Sequence, residues 1–546
     1  MTTFPLTGYR PSTPVADLLR QVATQPDKPL LLWEDGQWSY AQFADYARRC
    51  AAHLRRGGIE PGQRVAIIAR NSAWRQAWQY GAWWIGAVEV SVNYDLNGEL
   101  LRNVLADAEP AVIVLDEEFR DTVSAAFPGH PTLLETTGVP GRSDEVCPQE
   151  LDELAGTPRP GDLASLIYTS GTTGPSKGVM LPAGYPSGHG YSIRHVLDLR
   201  PDDVGYFVLP FFHADFHVVM AAVVQSGSAV AFRHKFTASG FWDEVRRYGA
   251  TWCWVVGFVL SAVMAQGIEV ARGHTMRRFL GAPIPEGAYE FFEDRLGVTI
   301  LTMYGQTEAD GPTFDTFERR RRGAAGWPSV GFEVQIHDDD GVALPPGEPG
   351  ELVYRPRYPH MTMLGYWNRP DATVAAWRDL WVRSGDQARM DEDGFLYFMG
   401  RMTDSIRRRG ENVSAYEVET ILRRHPGIAE CGIVGVHDEF SGEQEIKAFV
   451  VPEDEDRFDV DDFVRYCREH LPRYAVPRFL ELTAMENIVR SAGTGVVQKH
   501  RLLSLREEQR RAVYTIDVSP EQDRLSDGSV PECAKAEGPP TRGAAT

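Results

Sequence analysis

Helical and strand patterns alternate along residues 15–135, and this alternation limits the possible folds more than any other feature of the sequence. Apolar residues recur at helical spacing in "VADLLRQVATQ" and in "YAQFADYARRCAAHLRRGG", and the second segment ends at a glycine. The short β-branched runs "RVAIIA" and "AVIVLD" follow them. Alternation of this kind predicts an α/β fold in which helices cover a largely parallel sheet.

A change of pattern near residues 400–412 divides the chain. The segment "DGFLYFMGR" before it predicts a hairpin, and "SAYEVETILRRHPGIAECGIVGV" after it predicts a helix and then a strand. We therefore expect a large N-terminal domain of helix-covered β-sheets, residues 1–403, and a small α+β C-terminal domain, residues 404–515. Residues 516–546 are rich in proline, glycine and charge, so they bury too little apolar surface to offset the entropy of ordering. They are predicted to form a disordered tail.

Composition and charge exclude several classes of function. The 546 residues are 43% hydrophobic and carry a formal net charge of −20, which disfavours nucleic acid and anionic membranes as partners. None of the six cysteines has CxxC spacing. The start of the chain has no basic and apolar signal pattern. The most apolar stretch, Trp252 to Ala265, is short for a membrane span and predicts a buried strand followed by a helix. The sequence thus predicts a cytoplasmic protein that acts on small molecules.

The segment "SLIYTSGTTGPSKGVMLP", Ser165 to Pro182, indicates the chemistry. A strand-like run enters a loop of Gly, Thr and Ser that ends at Lys177. Glycines let the backbone approach a polyanion, amides and hydroxyls donate hydrogen bonds, and lysine adds charge. The spacing is not that of a Walker A loop, because Gly178 follows the lysine. A flexible linker is the alternative, but the strand-like entry and the closing lysine favour a loop that binds nucleotide phosphates.

Four segments in order resemble the ANL superfamily of adenylate-forming enzymes, which includes acyl- and aryl-CoA synthetases. They are the loop above, "GAP" (Gly281 to Pro283), "MYGQTEA" (Met303 to Ala309) and the run from Arg383 to Glu419. The resemblance covers about residues 10–512. Within the superfamily, "FHADFH", "FWDEVRRYGAT" and "RRGENVS" are similar to carnitine/crotonobetaine-CoA ligases.

The resemblance implies an ATP site and an AMP-forming ligase that uses ATP, Mg²⁺ and CoA. Its ATP-binding residues would be Thr169, Ser170, Gly171, Thr172, Thr173, Gly174, Gly281, Ala282, Pro283, Tyr304, Asp386 and Arg401. Its catalytic residues would be Lys177, Thr307, Glu308 and Arg401. Glu308 is also the expected metal ligand, since a carboxylate oxygen suits Mg²⁺. Tyr304 offers an aromatic face for adenine, and Asp386 can accept hydrogen bonds from both ribose hydroxyls.

The same resemblance implies a mobile C-terminal domain that serves two half-reactions. Asp404 matches the hinge residue about which the small domain rotates. Gly410, Glu411 and Asn412 match the loop that lines the CoA tunnel after rotation. A carboxylate would first attack the α-phosphate of ATP with release of pyrophosphate, and a thiol would then attack the acyl-adenylate.

The substrate pocket is assigned to five residues: His213, Asp215, Phe216, His217 and Phe258. Phe216 is bulky, and Trp252 and Trp254 add aromatic surface, which favours a small or aromatic substrate over a long fatty acid. Simple core packing of the same aromatic residues stays open as the alternative. His213 and His217 could share one helical face, but a metal site is disfavoured because no third cluster with ligand spacing accompanies them.

One expected charge is missing near the C-terminus. Family members have a lysine within a "TGKVQK"-like segment, where it bridges the carboxylate and the α-phosphate, but this chain has "TGVVQK", with Val496 at that position. Loss of such a donor costs about 10²–10³ in rate. Lys499 and Arg490 are alternative sources of the charge. In an extended segment an odd offset points Lys499 to the opposite side.

Three functions remain open at this stage. The first is an acyl- or aryl-CoA ligase, supported by the intact "RRGENVS" loop. The second is an ATP-dependent diazotase of a natural-product pathway, which would activate nitrite and convert an aryl amine to a diazo group without the carboxylate bridge. The third is a nucleotide-binding pseudoenzyme, which the retained Lys177, Glu308, Asp386 and Arg401 disfavour.

Overall fold

The structure is a computed structural model. It describes residues 9–96, 98–129, 131–137, 158–169, 176–402, 405–408, 411–437, 444–471, 475–490, 497–505 and 512–516. The chain forms two compact units. The smaller unit contains the described residues from Phe398 onward and two short segments from earlier in the chain, Pro349–Glu351 and Gly385–Arg389. The larger unit contains all other described residues up to Tyr397.

Ten α-helices lie in the described part of the larger unit, and the first three follow a Thr or Ser whose side chain caps them. In chain order they are α1 (Pro14–Thr24), α2 (Tyr40–Arg56), α3 (Ala73–Trp84), α4 (Gly98–Ala108), α5 (Arg120–Ala126), α6 (Tyr185–Val196), α7 (Ala214–Ser226), α8 (Phe241–Tyr248), α9 (Gly257–Met264) and α10 (Pro370–Ala376). Before α2, Ser39 and Gln42 exchange side chain-to-backbone hydrogen bonds in a capping box, and Gly57 follows its last residue.

Twenty-two strands begin within the part of the chain before the small domain. They are β1 (Pro29–Trp33), β2 (Gly36–Ser39), β3 (Arg64–Ile68), β4 (Val88–Ser91), β5 (Val112–Leu115), β6 (Thr132–Glu135), β7 (Leu163–Thr169), β8 (Lys177–Pro182), β9 (Val204–Phe207), β10 (Ala229–Phe232), β11 (Trp252–Val255), β12 (Arg278–Gly281), β13 (Thr299–Leu301), β14 (Met303–Gln306), β15 (Ala309–Phe314), β16 (Trp327–Pro328), β17 (Phe332–His337), β18 (Gly350–Pro356), β19 (Gly365–Tyr366), β20 (Trp377–Arg378), β21 (Trp381–Met390) and β22 (Leu396–Arg401). This count covers the described residues alone.

Two seven-stranded sheets form the centre of the larger unit. Their orders are β13-β12-β11-β9-β10-β1-β2 and β19-β8-β7-β4-β3-β5-β6. Pairing is parallel in both except for β1 with β2 and for β8 with its two neighbours. Two smaller sheets have the orders β14-β15-β16, which is antiparallel, and β17-β18-β21-β20, with β22 on β21. The α/β class predicted from the helix–strand alternation is confirmed.

Alternation along the strands sorts side chains into two apolar clusters. Val65 and Ile67 belong to the large cluster, which also takes in the other seven-stranded sheet and helices α2, α3, α6 and α7. Ala66 and Ile68, which point to the opposite face of the same strand, pack in a second cluster with α4 and α5. The predicted buried strand and helix between Trp252 and Ala265 are β11 and α9.

The smaller unit is an α+β structure with its own core. Its helices are α11 (Ala415–Leu422), α12 (Val460–His470) and α13 (Lys499–Leu503), and its strands are β23 (Ser405–Arg408), β24 (Glu411–Ser414), β25 (Ile428–His437), β26 (Gln444–Pro452), β27 (Phe479–Leu482) and β28 (Val513–Thr515). β25 to β28 form one sheet, and its apolar residues pack with α11 and α12. The predicted tail, residues 516–546, begins one residue too early, because Ile516 is 2% exposed and packs in this core. Residues 517–546 lie outside the described residues.

No helix in the described part of the chain is both long and apolar enough to cross a membrane. The predicted domain boundary at Asp404 stays a prediction, because Thr403 and Asp404 lie outside the described residues.

Candidate active site

The loop predicted to bind phosphates joins two neighbouring antiparallel strands. β7 ends at Thr169 and β8 begins at Lys177, and these two residues pair across the ladder. The loop therefore leaves and returns at one edge of the sheet, with Lys177 at its base. Ser170, Gly171, Thr172, Thr173 and Gly174 lie outside the described residues, so their phosphate contacts stay a prediction.

Lys177, Tyr366 and Glu308 lie together at this edge. β19 pairs with β8, and Lys177 Nζ lies 5.0 Å from the centroid of the Tyr366 ring, within cation–π range. The Tyr366 hydroxyl donates a hydrogen bond to Glu308 Oε1 at 2.7 Å. Burial, followed by the charge of Glu308, raises the pKa of Tyr366 above its usual range, so the phenol stays protonated and orients the carboxylate.

The chemistry of Glu308 fits a magnesium ion. Its side chain is half-buried, and its backbone carbonyl accepts a hydrogen bond from Met363 N at 2.9 Å, which fixes the residue against the chain that carries Tyr366. Mg²⁺ prefers oxygen ligands and commonly takes one or two carboxylates together with substrate phosphates and water. Glu308 is therefore the residue that would hold Mg²⁺ against a nucleotide.

Hydrogen bonds hold the turn that carries Thr307 from three sides. Gln306 Nε2 donates to the backbone oxygen of Ser384 at 2.9 Å, and the Tyr354 hydroxyl donates to Gln306 Oε1 at 3.1 Å. The Tyr185 hydroxyl donates to the backbone oxygen of Thr307 at 3.0 Å. These hydrogen bonds restrain the turn, which is what positioning of an α-phosphate by Thr307 would need.

The predicted adenine turn follows β12. Gly281, its first residue, pairs with Val255 of β11, and a Cβ at Gly281 would lie 1.7 Å from the Val255 backbone oxygen. Only glycine fits this approach, which carries the chain into Ala282 and Pro283. Tyr304, on β14, is mostly buried. Adenine binding by these residues stays a prediction.

The two pocket histidines have different surroundings. His213 is the N-cap residue of α7, its Nε2 is buried without a hydrogen-bond partner, and burial lowers its pKa to about 4. His217 is fully buried, with Nε2 2.5 Å from Gln79 Nε2 and 3.2 Å from Glu89 Oε2. Across the described residues, no group of three or more His, Cys, Asp or Glu side chains could hold a metal ion.

The two phenylalanines assigned to the pocket differ in solvent exposure. Phe216 is fully buried and its ring stacks on Phe211, with centroids 3.5 Å apart. Phe258 is 72% exposed. The sequence left open whether these residues line a substrate pocket or pack in the core, and the contacts of Phe216 favour core packing. A role for Phe258 in substrate binding stays a prediction.

Asp215 lies in the first turn of α7. Its charge acts on the carboxyl of Asp310, a residue that the sequence analysis did not identify. Burial raises the pKa of Asp215 to about 6, and the neighbouring His217 acts in the opposite direction. Burial, with the charge of Asp215 added, raises the pKa of Asp310 well above its usual range. Asp310 is the second residue of β15, two positions after Glu308.

The remaining nucleotide and CoA residues belong to the smaller unit. Asp386 is 4% exposed and lies on β21. Arg401 ends β22, and Glu411 and Asn412 begin β24, where they pair with Arg408 and Arg407. The structure describes the backbone of these last residues, and Asp404 and Gly410 lie outside the described residues. The hinge and the CoA tunnel stay predictions.

Lys499 occupies an ion pair within the smaller unit. Val496 lies outside the described residues, and helix α13 begins at Lys499, so the expected extended segment does not continue there. Lys499 Nζ lies 3.5 Å from Glu419 Oε1, and its side chain is 14% exposed. The same Glu419 oxygen accepts a hydrogen bond from Ile433 N at 2.9 Å. This pairing disfavours Lys499 as a substitute for the lysine that the resemblance predicts at position 496.

Arg490 is also paired. Its Nη2 lies 2.5 Å from Glu430 Oε2, and Arg423 binds the other oxygen of that carboxylate at 2.9 Å. Burial acts against ionisation of Glu430, but its hydrogen bonds and the two guanidinium groups outweigh this and lower its pKa. The substitute role considered for Arg490 therefore requires it to leave this arrangement.

Sequence analysis missed Tyr366, Tyr185 and Asp310. Tyr366 lies 58 positions after Glu308, and its contact depends on the pairing of β19 with β8. Tyr185 begins α6 and contacts Thr307 across the fold. Asp310 carried no signal either, because β15 has the mixed sequence "ADGPTF" and its burial is set by the fold.

Comparison with known families decides the assignment. The family described as AMP-binding enzyme matches residues 18–367, and the AMP-binding enzyme C-terminal domain matches residues 417–491. The chain belongs to the AMP-binding enzyme family. It is an adenylate-forming enzyme of the ANL superfamily, as the four sequence segments predicted.

The curated relatives of this AMP-binding enzyme span nearly its whole fold. A crotonobetaine/carnitine–CoA ligase from Salmonella arizonae is 32% identical over 505 residues, which cover 87% of this chain and 96% of the relative. A second enzyme of that name, from Salmonella paratyphi C, is 30% identical over 503 residues with the same coverage. The predicted likeness to these ligases is confirmed.

Solved structures share the fold of this AMP-binding enzyme. An anthranilate CoA ligase in complex with anthranoyl-AMP has a TM-score of 0.79 and 23% identity, and covers 91% of this chain and 98% of its own. ATP-bound MatB from Rhodopseudomonas palustris has a TM-score of 0.78 and 25% identity, and covers 90% and 98%. The fold is that of enzymes solved with nucleotide or acyl-adenylate.

Proposed function

We propose that this chain is an ATP-dependent ligase that activates a small or aromatic carboxylate as an acyl-AMP and then transfers the acyl group to CoA. The observation that carries the proposal is the arrangement of Lys177, Tyr366 and Glu308 at the base of the phosphate loop. A cation lies there beside a tyrosine that orients the carboxylate suited to Mg²⁺. These are the groups that a polyphosphate needs.

The first half-reaction is a displacement at the α-phosphorus of ATP. A carboxylate oxygen forms the new bond to phosphorus, the bond to the β-phosphate oxygen breaks, and pyrophosphate leaves. Lys177 would offset charge on the leaving group, and Glu308 would hold Mg²⁺, which supplies positive charge to the phosphates. Thr307, fixed by its neighbours at the turn, would position the α-phosphate. The protein contributes positioning and charge and forms no covalent bond.

The second half-reaction forms the thioester. The sulfur of CoA attacks the carbonyl carbon of the acyl-adenylate, and AMP leaves with the electron pair of the broken C–O bond. The segment around Glu411 and Asn412 is the predicted site of CoA. Support comes from the curated relatives, which are named as CoA ligases and are covered over 96% of their length.

The size of the substrate is part of the proposal. Relatives of the same fold are named for an aromatic acid, anthranilate, and for small acids, crotonobetaine and carnitine. Both agree with a compact substrate.

A product analysis tests the proposal. The full chain is incubated with ATP, Mg²⁺, CoA and a panel of carboxylates that runs from acetate and crotonate through benzoates to palmitate. We expect AMP and pyrophosphate in equal amounts, together with an acyl-CoA, from short or aromatic acids. Turnover of palmitate alone would contradict the predicted pocket, and ADP as the nucleotide product would contradict the reaction class.

A second function has one specific observation in its favour. This chain has Val496 where the family resemblance predicts a lysine that bridges carboxylate and α-phosphate. In an ATP-dependent diazotase, nitrite oxygen would attack the α-phosphorus and pyrophosphate would leave. An aryl amine would then attack the nitroso nitrogen and lose a proton as AMP leaves. Tautomerisation of the resulting nitrosamine, protonation of its oxygen and loss of water would give the diazonium group. No carboxylate needs bridging in that reaction.

The same assay separates the two functions when nitrite and aryl amines are added to the panel. AMP release that requires both nitrite and an amine, with no dependence on CoA, would identify the diazotase. AMP release that requires a carboxylate would identify the ligase. ATP binding without AMP under either condition would identify a nucleotide-binding pseudoenzyme.

A further inference from the structure

One carboxylate, that of Asp107, connects the two chain segments that flank the predicted phosphate and metal residues. Asp107 lies in the last turn of α4, outside the four motif segments, and its side chain is 16% exposed. Its Oδ2 accepts a hydrogen bond from the Tyr168 hydroxyl at 2.8 Å, and its Oδ1 lies 3.1 Å from Arg369 Nη1. Burial, with the hydrogen bond to Asp107 added, raises the pKa of Tyr168 above its usual range, so the phenol keeps the proton that it donates.

The hydrogen bond from Tyr168 restrains the strand that leads into the phosphate loop. Tyr168 is the residue before Thr169, at which β7 ends, and it pairs across the ladder with Gly178, the residue after Lys177. Its ring lies against that glycine, since a Cβ at Gly178 would come 3.1 Å from Tyr168 Cζ. The Asp107 carboxylate therefore acts, through one side chain, on both ends of the loop.

The ion pair with Arg369 restrains the turn that follows Tyr366. Arg369 N donates to the Tyr366 backbone oxygen at 3.3 Å. Between them, Trp367 Nε1 donates to the backbone oxygen of Asp107 at 2.9 Å. The Tyr366 hydroxyl in turn donates to Glu308, so the turn that Asp107 holds carries the residue that orients the expected metal ligand.

We propose that Asp107 is a positioning residue that keeps the phosphate loop and the metal ligand in a fixed arrangement, an inference that rests on the proposed ATP-dependent activation at this site. Glu308 would hold Mg²⁺ against phosphates that the loop and Lys177 bind, so the two sides must be placed together. Metal-free ATP needs the loop side alone. Because the Asp107 carboxylate contacts one residue on each side, its loss should weaken binding of MgATP more than binding of metal-free ATP.

The ratio of two dissociation constants tests this inference without turnover. The full chain is titrated calorimetrically with a non-hydrolysable ATP analogue, once with excess Mg²⁺ and once with EDTA, and no carboxylate substrate is added. The Kd with EDTA divided by the Kd with Mg²⁺ measures how much the metal adds to nucleotide binding. Asp107→Ala should reduce this metal ratio about tenfold, while the Kd with EDTA changes by less than about threefold.

Two further variants complete the test. Tyr168→Phe removes one of the two contacts with little change of shape, so it decides the matter where Asp107→Ala fails to fold, and it should lower the metal ratio by about threefold or more. Asp203→Ala is the matched control. Asp203 is a buried carboxylate that likewise accepts from a hydroxyl, Thr251 Oγ1 at 2.5 Å, and pairs with an arginine, Arg278 at 2.7 Å.

The control should keep the metal ratio of the unmodified chain. Asp203 precedes β9, whereas the predicted adenine turn follows the parallel strand β12, so the two lie at opposite strand ends of their sheet. An unchanged metal ratio in Asp107→Ala and Tyr168→Phe, with equal weakening in Mg²⁺ and EDTA, would show that Asp107 only supports the local fold and would overturn the inference. A metal ratio near one in the unmodified chain would overturn it as well.

The outcomes separate this inference from the proposed function. Loss of the metal ratio in Asp107→Ala, with no AMP formed by the unmodified chain from any substrate, would keep the positioning role and remove the ligase. AMP formation by the unmodified chain, with an unchanged metal ratio in both variants, would keep the ligase and remove the positioning role.

Discussion

At the scale of single residues, the hydrogen bond from Tyr366 to Glu308 is the contact on which metal binding would depend most. Tyr366→Phe removes the donor at 2.7 Å and leaves the ring beside Lys177 in place. A hydrogen bond to a charged group contributes about 1.5–3 kcal/mol, so the KM for MgATP should rise at least about tenfold.

The matched control for this prediction is Tyr466→Phe. It removes a tyrosine hydroxyl that donates to the Ile421 backbone oxygen at 3.2 Å in the smaller unit. Steady-state kinetics over a range of MgATP concentrations should show a normal KM for this control. A normal KM in Tyr366→Phe as well would show that Glu308 does not need its tyrosine.

Val496 gives a second prediction at the residue scale. If the chain activates a carboxylate, Val496→Lys restores the bridging charge, and adenylation should rise by up to about 10²–10³. Lys499→Ala is the companion variant, since Lys499 pairs with Glu419. It should leave adenylation within about threefold of normal. ATP–pyrophosphate exchange measures the adenylation rate of both variants. An unchanged or lower rate in Val496→Lys would contradict the hypothesis that this chain activates a carboxylate without a bridging lysine.

At the scale of elements, the approach of β11 to β12 sets the adenine turn. Gly281→Ala would place a Cβ 1.7 Å from the Val255 backbone oxygen, so the two strands must separate. We expect a loss of about 3 kcal/mol in the free energy of unfolding, together with weaker ATP binding. Gly57→Ala is the control, because its Cβ would come no closer than 3.3 Å to another atom. Denaturant titration that ranks the two variants equally would contradict the predicted strand separation.

The end of β15 gives a prediction on pH. Burial raises the pKa of Asp315 to about 7, above the unfolded value near 3.9, so the folded chain holds this proton more tightly than the unfolded chain does. The contribution of the Asp315 carboxyl to the free energy of unfolding is fully present below pH 4 and is lost as pH rises through 7. Asp315→Asn should therefore stabilise the protein by about 2 kcal/mol more at pH 8 than at pH 5.

Thermal or denaturant unfolding at the two pH values measures this difference. Asp243→Asn, which removes an exposed carboxylate from the first turn of α8, is the control for loss of charge. An equal gain in Asp315→Asn at both pH values would show that the Asp315 carboxyl is not the group that titrates.

At the scale of the whole molecule, local pattern predicted the fold class well. Strands such as β3 and β5 are short apolar runs, and helix α2 has apolar residues at helical spacing and a capping box, so elements of this kind could be identified one at a time. The sheet order β7-β4-β3-β5 could not, because it depends on contacts between segments more than 20 residues apart.

The candidate site likewise contains residues that local sequence patterns predict and residues that they do not. Motif residues such as Lys177 and Glu308 follow one another in recognisable local patterns, and the structure brings these two together through Tyr366. Tyr366 and Tyr185 carry no local signal, since their purpose arises from strand pairing and from packing of α6. Phe216 shows the opposite limit: a bulky residue in a pocket motif turned out to stack within the core.

The central claim is that a substrate oxygen attacks the α-phosphorus of ATP, and transfer of an oxygen isotope tests it most directly. The carboxylate with the highest AMP yield is prepared with ¹⁸O in both carboxyl oxygens and carried through to the thioester with ATP, Mg²⁺ and CoA. We predict that mass spectrometry finds one ¹⁸O in each AMP formed and none in pyrophosphate. Unlabelled AMP, or label in the β- or γ-phosphate, would contradict adenylate formation by this chain.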